Sequence, residues 1–248
     1  MSSLSRKIVR RAGSPLARLY YRFLFGGDSG LARACGRWVT AWEASGSRGD
    51  VPVDAGTWDD QYRSGHWSFL HDPSELARYG ALAASSQRLT PARTILDVGC
   101  GEGILRELLR DRGYQRYVGV DLSSVAIEAA RRSAAPEDSF VVADAETYAP
   151  GETFDAVVLN ECLYYFHDPL EQAERYMRMT TPEGALIISM FESPRTRAIL
   201  RVLERRRPRA ERVRLEGHAG AWLLAAFQHG EGATLQLTSD SPTAPTPR

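Results

Sequence analysis

Short apolar runs recur through the middle of the chain, and stretches with helical spacing fill the gaps. TILDV, YVGVD, SFVVAD, FDAVVLN and ALIISMF are short, rich in β-branched residues and bounded by Gly, Asp or Asn. Runs of this kind suit strands covered on both faces. Between them lie ILRELLRDR, SVAIEAARRS and PLEQAERYMRM, and TRAILRVLERR follows the last. Their apolar residues recur every three or four positions, the period of an amphipathic helix. A helix from Pro73 to Gln87 is predicted ahead of the first strand, because Asp72-Pro73-Ser74-Glu75 offers a helix start. After Pro208 the alternation stops. RVRLEG and AWLLAAFQ follow each other with no helix between, which predicts an antiparallel pair at the sheet edge. The pattern implies an α/β fold, with a doubly wound, Rossmann-like seven-stranded sheet and an antiparallel last strand.

The two ends read differently. Residues 1–50 form a basic N-terminal helical extension, in which Leu16, Leu19, Tyr20, Phe23 and Leu24 recur at helical spacing. Up to Trp38, seven arginines and Lys7 face Asp28 alone. One reading packs this helix on its own domain. The other lays residues 1–40 on an anionic membrane surface. GSRGDVPVDAG, residues 46–56, reads as a linker. The principal domain spans 51–235, and the Pro/Thr/Ser-rich tail, 236–248, is expected to be disordered.

Composition narrows the function classes. The 31 basic and 31 acidic residues balance, so bulk nucleic-acid binding is not indicated. Cys35, Cys100 and Cys162 are scattered, with neither disulfide nor metal spacing, which fits a reducing cytoplasm. No apolar run approaches the roughly 20 residues that span a bilayer.

The first strand runs into ILDVGCGEG, residues 95–103. A dinucleotide fingerprint needs G-x-G-x-x-G, but here the glycines are Gly99, Gly101 and Gly103. No Gly-Lys-Ser/Thr ending marks a phosphate loop. Asp97 sits at the strand end, where an anion would be repelled. Asp121 ends the next strand, where a carboxylate accepts bonds from both ribose hydroxyls. Asp144 ends the third. All three acids fall on the sheet edge where ligands bind in open α/β folds. They imply a ligand with a ribose, an amino donor and a cationic end, and no phosphate. S-adenosylmethionine fits each point.

These motifs resemble those of the class I S-adenosylmethionine-dependent methyltransferases. ILDVGCGEG looks like the first motif, YVGVDLS the second, VVADAE the third and FDAVVLNECLYYF the fourth. PEGALIISM looks like the entry to the fifth strand, with Glu183 where a second glycine is usual. The resemblance covers about 93–191, the cofactor-binding core. It implies that the backbone at Gly99, Cys100 and Gly101 faces the cofactor, with Asp97 near its amino acid end. It implies Asp121 on the ribose, Leu122 against the adenine, and Asp144 with the Ala145 N–H on the adenine edge. The Asn160 carbonyl would approach the methionine part. An N-terminal aromatic often covers the cofactor in this family, and Tyr62 and Trp67 are the matches here.

The acceptor side is less patterned. Methyl transfer is an in-line displacement, so the enzyme positions the acceptor and takes its proton where one must leave. In NECLYYFHDP, residues 160–169, Glu161 and His167 are the candidate bases, and Tyr164 and Tyr165 candidate acceptor contacts. His66 joins them from the other wall. His167 reads equally as a helix cap, and the two tyrosines as packing. The expected reaction is transfer to a hydroxyl, or an amine, of a small molecule such as a sugar or natural-product intermediate, by a monomer or homodimer. The competing classes are an RNA or protein methyltransferase and a cofactor-binding protein of this fold that transfers no methyl group. No Asn/Asp-Pro-Pro-Tyr/Phe follows the fourth strand, against a nucleic-acid or amide acceptor.

Overall fold

The computed structural model describes residues 29–31, 34–35, 54–90, 93–207, 209–217 and 220–229. The apolar stripe at 16–24, the tail at 236–248 and His218, a further residue near the last strands, lie outside the described residues.

Seven strands form one sheet in the order β3-β2-β1-β4-β5-β7-β6. They are β1 Thr94–Val98, β2 Arg116–Asp121, β3 Asp138–Val142, β4 Phe154–Asn160, β5 Thr180–Phe191, β6 Arg209–Gly217 and β7 Gly220–Gln228. The first five are parallel. β7 runs antiparallel to both β5 and β6, so the last strand in the chain lies inside the sheet and β6 forms its edge. The expected fold class holds. Two strand details differ from the pattern: β5 begins five residues before ALIISMF, and its pairing with β4 shifts register between Phe154 and Ala156.

The described helices are α1 Ala55–Arg63, α2 Pro73–Leu89, α3 Ile104–Arg110, α4 Ser124–Arg132, α5 Pro169–Met177 and α6 Pro194–Arg206. Local sequence fixes their starts. Ser123 caps α4 by accepting from the Ala126 N–H. Asp168 accepts from two N–H groups at the start of α5, and Ser193 with Thr196 closes a capping box on α6. Proline occupies the first turn of α2, α5 and α6, where its missing donor costs nothing.

Alternate strand residues feed two cores. Leu96, Val98, Val118, Val120, Val157 and Leu159 face α5 and α6. Ile95, Tyr117, Ala156, Val158 and Ile187 face α2, α3 and α4. The strand order turns outward between β1 and β4, so the loops after these strands diverge and open a crevice at their carboxyl ends. α1 was not predicted. It begins within the expected linker, where Asp54 caps it, and it lies against the start of α4.

Candidate active site

The loop after β1 is tied to β2 by its backbone. The Gly99 and Cys100 N–H groups donate to the Val120 carbonyl at 2.8 and 3.1 Å, and the Gly101 N–H donates to Asp121 Oδ2 at 2.9 Å. Gly99 and Gly101 have φ of +70° and +55°, a region that disfavours side chains. There is also no room. A Cβ on Gly99 would stand 2.9 Å from the Cys162 Cβ, and one on Gly101 would stand 2.8 Å from the Tyr62 hydroxyl oxygen. The loop is bare backbone by necessity, with Tyr62 of α1 lying over it.

The three acids differ in what they already hold. Asp97 is buried at 2% exposure. Its Oδ2 accepts from the Tyr117 hydroxyl, and its Oδ1 has no partner. Burial pushes its pKa up to about 7. An unpaired buried carboxylate oxygen is costly, and a cationic ligand group beside it removes the cost. Asp121 accepts from Gly101 N–H and, through Oδ1, from Ser123 N–H at 2.8 Å. It is therefore not an acid without a structural task, as a bare strand-end acid reads in sequence. The same bonds hold its carboxylate beside the glycine loop. Asp144 Oδ1 accepts from the Glu146 N–H at 2.8 Å, and among the described residues neither Oδ2 nor the Ala145 N–H has a partner. An acceptor and a donor thus stand side by side, matching the amino group and ring nitrogen of an adenine. These residues fit S-adenosylmethionine. Leu122 is half-buried next to Asp121.

A buried polar cluster closes the other end of the crevice. Arg78 of α2, 3% exposed, donates to Asn160 Oδ1 and to Glu75 Oε2 at 3.0 Å, and its Nε has no partner. Its guanidinium lies 4.5 Å from the Tyr79 ring centroid and 5.8 Å from that of Trp222. Burial opposes its charge, but Glu161, Tyr79 and Glu75 hold the pKa above the usual arginine value. Glu161 is the sole non-glycine described residue with positive φ, at 58°. Strain of this kind gathers at functional sites. Its Oε2 accepts from the Tyr164 hydroxyl at 3.0 Å, and its Oε1 is buried without a partner. Burial lifts its pKa to about 7 against the pull of Arg78. Ser189 of β5 adds a third buried oxygen without a partner, one position from the Glu161 N–H that donates to the Ser189 carbonyl.

The remaining candidates sort by position. Trp58, Tyr62, His66, Trp67 and Phe69 form one aromatic wall, and Trp58 meets Tyr165 edge-on at 5.4 Å between centroids. Trp67 is therefore in the wall, its Nε1 donating to Gln61 at 3.1 Å, while Tyr62 reaches the loop. His167 is displaced from the cluster. Its side chain is 88% exposed, its Nδ1 lies 2.9 Å from Glu146 Oε1, and its backbone N–H donates to the same oxygen. It does not cap α5, which Asp168 does. Two residues escaped the sequence reading. Arg78 reads as one more solvated arginine on a helix. Asp59 of α1 accepts from the Ser123 and Ser124 hydroxyls at 2.7 and 2.8 Å and from the Val125 N–H, which fastens α1 across the start of α4. Its position in WDDQY was the only available signal.

A family model for a methyltransferase domain matches residues 57–235. A trans-aconitate 2-methyltransferase of Azoarcus sp. is 32% identical over 135 residues, covering 54% of this chain and 51% of that protein. The chain spans about half the length of the curated relatives it matches. Among solved structures, the N-methyltransferase NodS from Bradyrhizobium japonicum WM9, in complex with S-adenosyl-L-homocysteine, aligns with a TM-score of 0.59. Identity is 24%, with 66% of this chain and 91% of that one covered. The plantazolicin methyltransferase BpumL, also with S-adenosyl-homocysteine, aligns at 0.56 with 12% identity, over 69% of this chain and 91% of its own. These two likenesses are of fold.

Proposed function

The chain belongs to the class I S-adenosylmethionine-dependent methyltransferase family, with S-adenosylmethionine as its cofactor, and we propose that it methylates a hydroxyl, or an amine, of a small molecule with Glu161 as the base. The observation that carries this reading is the buried Glu161 Oε1, without a partner, beside Asn160 at the end of β4. When bound, S-adenosylmethionine supplies a methyl group activated by its sulfonium. The chain's own groups do the rest. Gly99, Cys100 and Gly101 offer backbone to it, Asp97 accepts from its ammonium, and Asp121 accepts from the ribose hydroxyls. Leu122 covers the adenine, whose edge Asp144 and the Ala145 N–H read. Asn160 and Arg78 border its amino acid end. Tyr62 closes over the loop, and the wall of Trp67 and His66, with Tyr164 and Tyr165 opposite, excludes water and orients the acceptor. Glu161 Oε1 would take the proton that the acceptor gives up on methylation. A carboxyl with a pKa near 7 is suited to that exchange at neutral pH.

An acid acceptor such as trans-aconitate, named for the relatives, is less favoured by this site. It needs a cation at the acceptor end, and both terminal nitrogens of the buried Arg78 already face Asn160 and Glu75, which leaves only its Nε free. His167, paired with Glu146 and exposed, is a weaker base candidate than Glu161. A small-molecule acceptor, without nucleic acid, suits the balanced charge of the chain. No helix among the described residues is long and apolar enough to cross a membrane.

The test is thermal stability with S-adenosylmethionine, S-adenosylhomocysteine, NAD and ATP, on wild type and Asp121→Ala. A ligand at about 100 times its Kd adds roughly 2.7 kcal/mol. The two sulfur ligands alone should stabilise wild type, and Asp121→Ala should lose most of the effect. S-adenosylhomocysteine release is then screened over neutral hydroxyl, amine and acid acceptors, with Glu161→Gln as control. No shift with either sulfur ligand at millimolar concentration overturns the cofactor site. Turnover of acids in preference to alcohols and amines, undiminished in Glu161→Gln, overturns the acceptor reading.

A further inference from the structure

α5 holds the turn after β3 through its carbonyls. Arg175 Nη1 donates to the Ala145 carbonyl at 2.9 Å, and the Tyr176 hydroxyl donates to the same oxygen at 2.6 Å. Arg175 Nη2 reaches the Tyr148 carbonyl, and Gln172 Nε2 reaches that of Glu146 at 3.3 Å. The guanidinium is itself steadied by Gln172 Oε1 at 2.9 Å. Tyr176 is fully buried and stacks near Phe166, with ring centroids 6.5 Å apart.

The clamped carbonyl and the Glu146 N–H belong to one peptide unit, which is planar. That N–H is the group that donates to Asp144 Oδ1. Fixing the carbonyl with two donors, one of them charged, therefore fixes the direction of the N–H. The N–H in turn fixes the rotation of the Asp144 carboxylate and so the aim of Oδ2. The Ala145 N–H, one peptide earlier, sits in the same turn.

We propose that Tyr176 and Arg175 are positioning residues that set nucleobase selectivity. By holding the Ala145–Glu146 peptide, they aim the Asp144 carboxylate and the Ala145 N–H at an adenine rather than a 6-oxopurine. The inference rests on the reading of this turn as the adenine edge of the cofactor site. A 6-oxopurine reverses the pattern: its ring N–H faces the Ala145 N–H and its oxygen faces the carboxylate. A mobile peptide would let the carboxylate turn away and relax the penalty.

The experiment measures Kd by calorimetry for S-adenosylhomocysteine and its 6-oxo counterpart, S-inosylhomocysteine, on wild type, Tyr176→Phe and Arg175→Gln. Wild type should prefer the adenine form by about 100-fold or more, as a site with paired donors and acceptors does. Each variant should narrow that ratio by about five- to tenfold, the worth of one aligned hydrogen bond. Tyr176→Phe keeps the ring in the core, and Arg175→Gln serves should it fail to fold. A high wild-type ratio left intact in the variants overturns the inference and spares the adenine site. So does an equal fall in both affinities, which marks a role in packing alone. A wild-type ratio near one overturns the adenine site, and the inference with it.

Discussion

The role proposed for Asp97 predicts that cofactor binding is a proton-linked event. Its pKa of about 7 leaves the carboxyl about half protonated at pH 7 in the free protein. An ammonium beside Oδ1 favours the charged form, so binding should expel that proton. About half a proton is released at pH 7, about 0.9 at pH 6 and about 0.1 at pH 8. Affinity for S-adenosylhomocysteine should therefore rise with pH by up to about tenfold per unit below 7 and level off above it. The sign for stability is opposite. A carboxyl whose pKa is raised by folding stabilises the free protein below its unfolded pKa, and that contribution is lost across about pH 4 to 7, at up to roughly 1.4 kcal/mol per unit. Calorimetry in buffers of different ionisation enthalpy counts the protons. Asp97→Asn should abolish the release. Glu161→Gln should leave it in place, which separates Asp97 from the other carboxyl shifted to about 7. Wild-type binding without proton exchange, or release that persists in Asp97→Asn, refutes the assignment of Asp97 to the ammonium.

Two further variants probe the frame. Gly101→Ala combines a φ of +55° with a Cβ placed 2.8 Å from the Tyr62 hydroxyl. It should displace Tyr62 and weaken S-adenosylhomocysteine by more than about tenfold in calorimetry, from strain of about 1 kcal/mol or more plus the lost contact; unchanged affinity would show that Tyr62 does not lie on the loop. Arg106 of α3, 1% exposed, bonds Asp138 and the Ser133 carbonyl, and Asp138 also accepts from the Tyr114 hydroxyl at 2.6 Å. Arg106→Met takes the cation from that carboxylate and leaves it the Tyr114 hydroxyl and the Ala135 N–H, which should cost about 3 kcal/mol in urea unfolding, with ligand affinity preserved because Asp138 lies at the start of β3, at the opposite end of the strand from the crevice. A loss under about 1 kcal/mol would show that water already reaches the pair.

The sheet was legible because each parallel strand is covered on both faces, so TILDV and FDAVVLN announce themselves as apolar runs. α1 was not, because it buries no residue fully. Its order comes from Asp54 at its cap and from Asp59 reaching Ser123 and Ser124, contacts separated by some 64 residues in sequence. Asp97 and Asp121 were legible by spacing at their strand ends, and Asp144 lies two residues past the end of β3, yet the two backbone donors that occupy Asp121 were not legible, since they arrive from the loop after β2 and from the glycine turn. Arg78 hid as a charge on a helix until β4 and β7 brought Asn160 and Trp222 to it. Tyr176 hid in the apolar face of α5, where its ring is core and only its hydroxyl has other work. His167 was visible as a rim residue, but its partner Glu146 lies 21 residues away on another loop.

The place of β7 between β5 and β6 has a consequence for how the chain is made. β5 is complete at Phe191, and its open edge waits for a strand that ends at Gln228. β6 is synthesised in between and has no sheet partner until β7 arrives. On the ribosome, the half built on β1 to β5 can therefore form first, while an apolar strand edge, Leu186 to Phe191, stays unpaired. Closing it is a non-local step that should limit the rate of folding. Until then that edge is the place where a nascent chain meets a chaperone or another copy of itself.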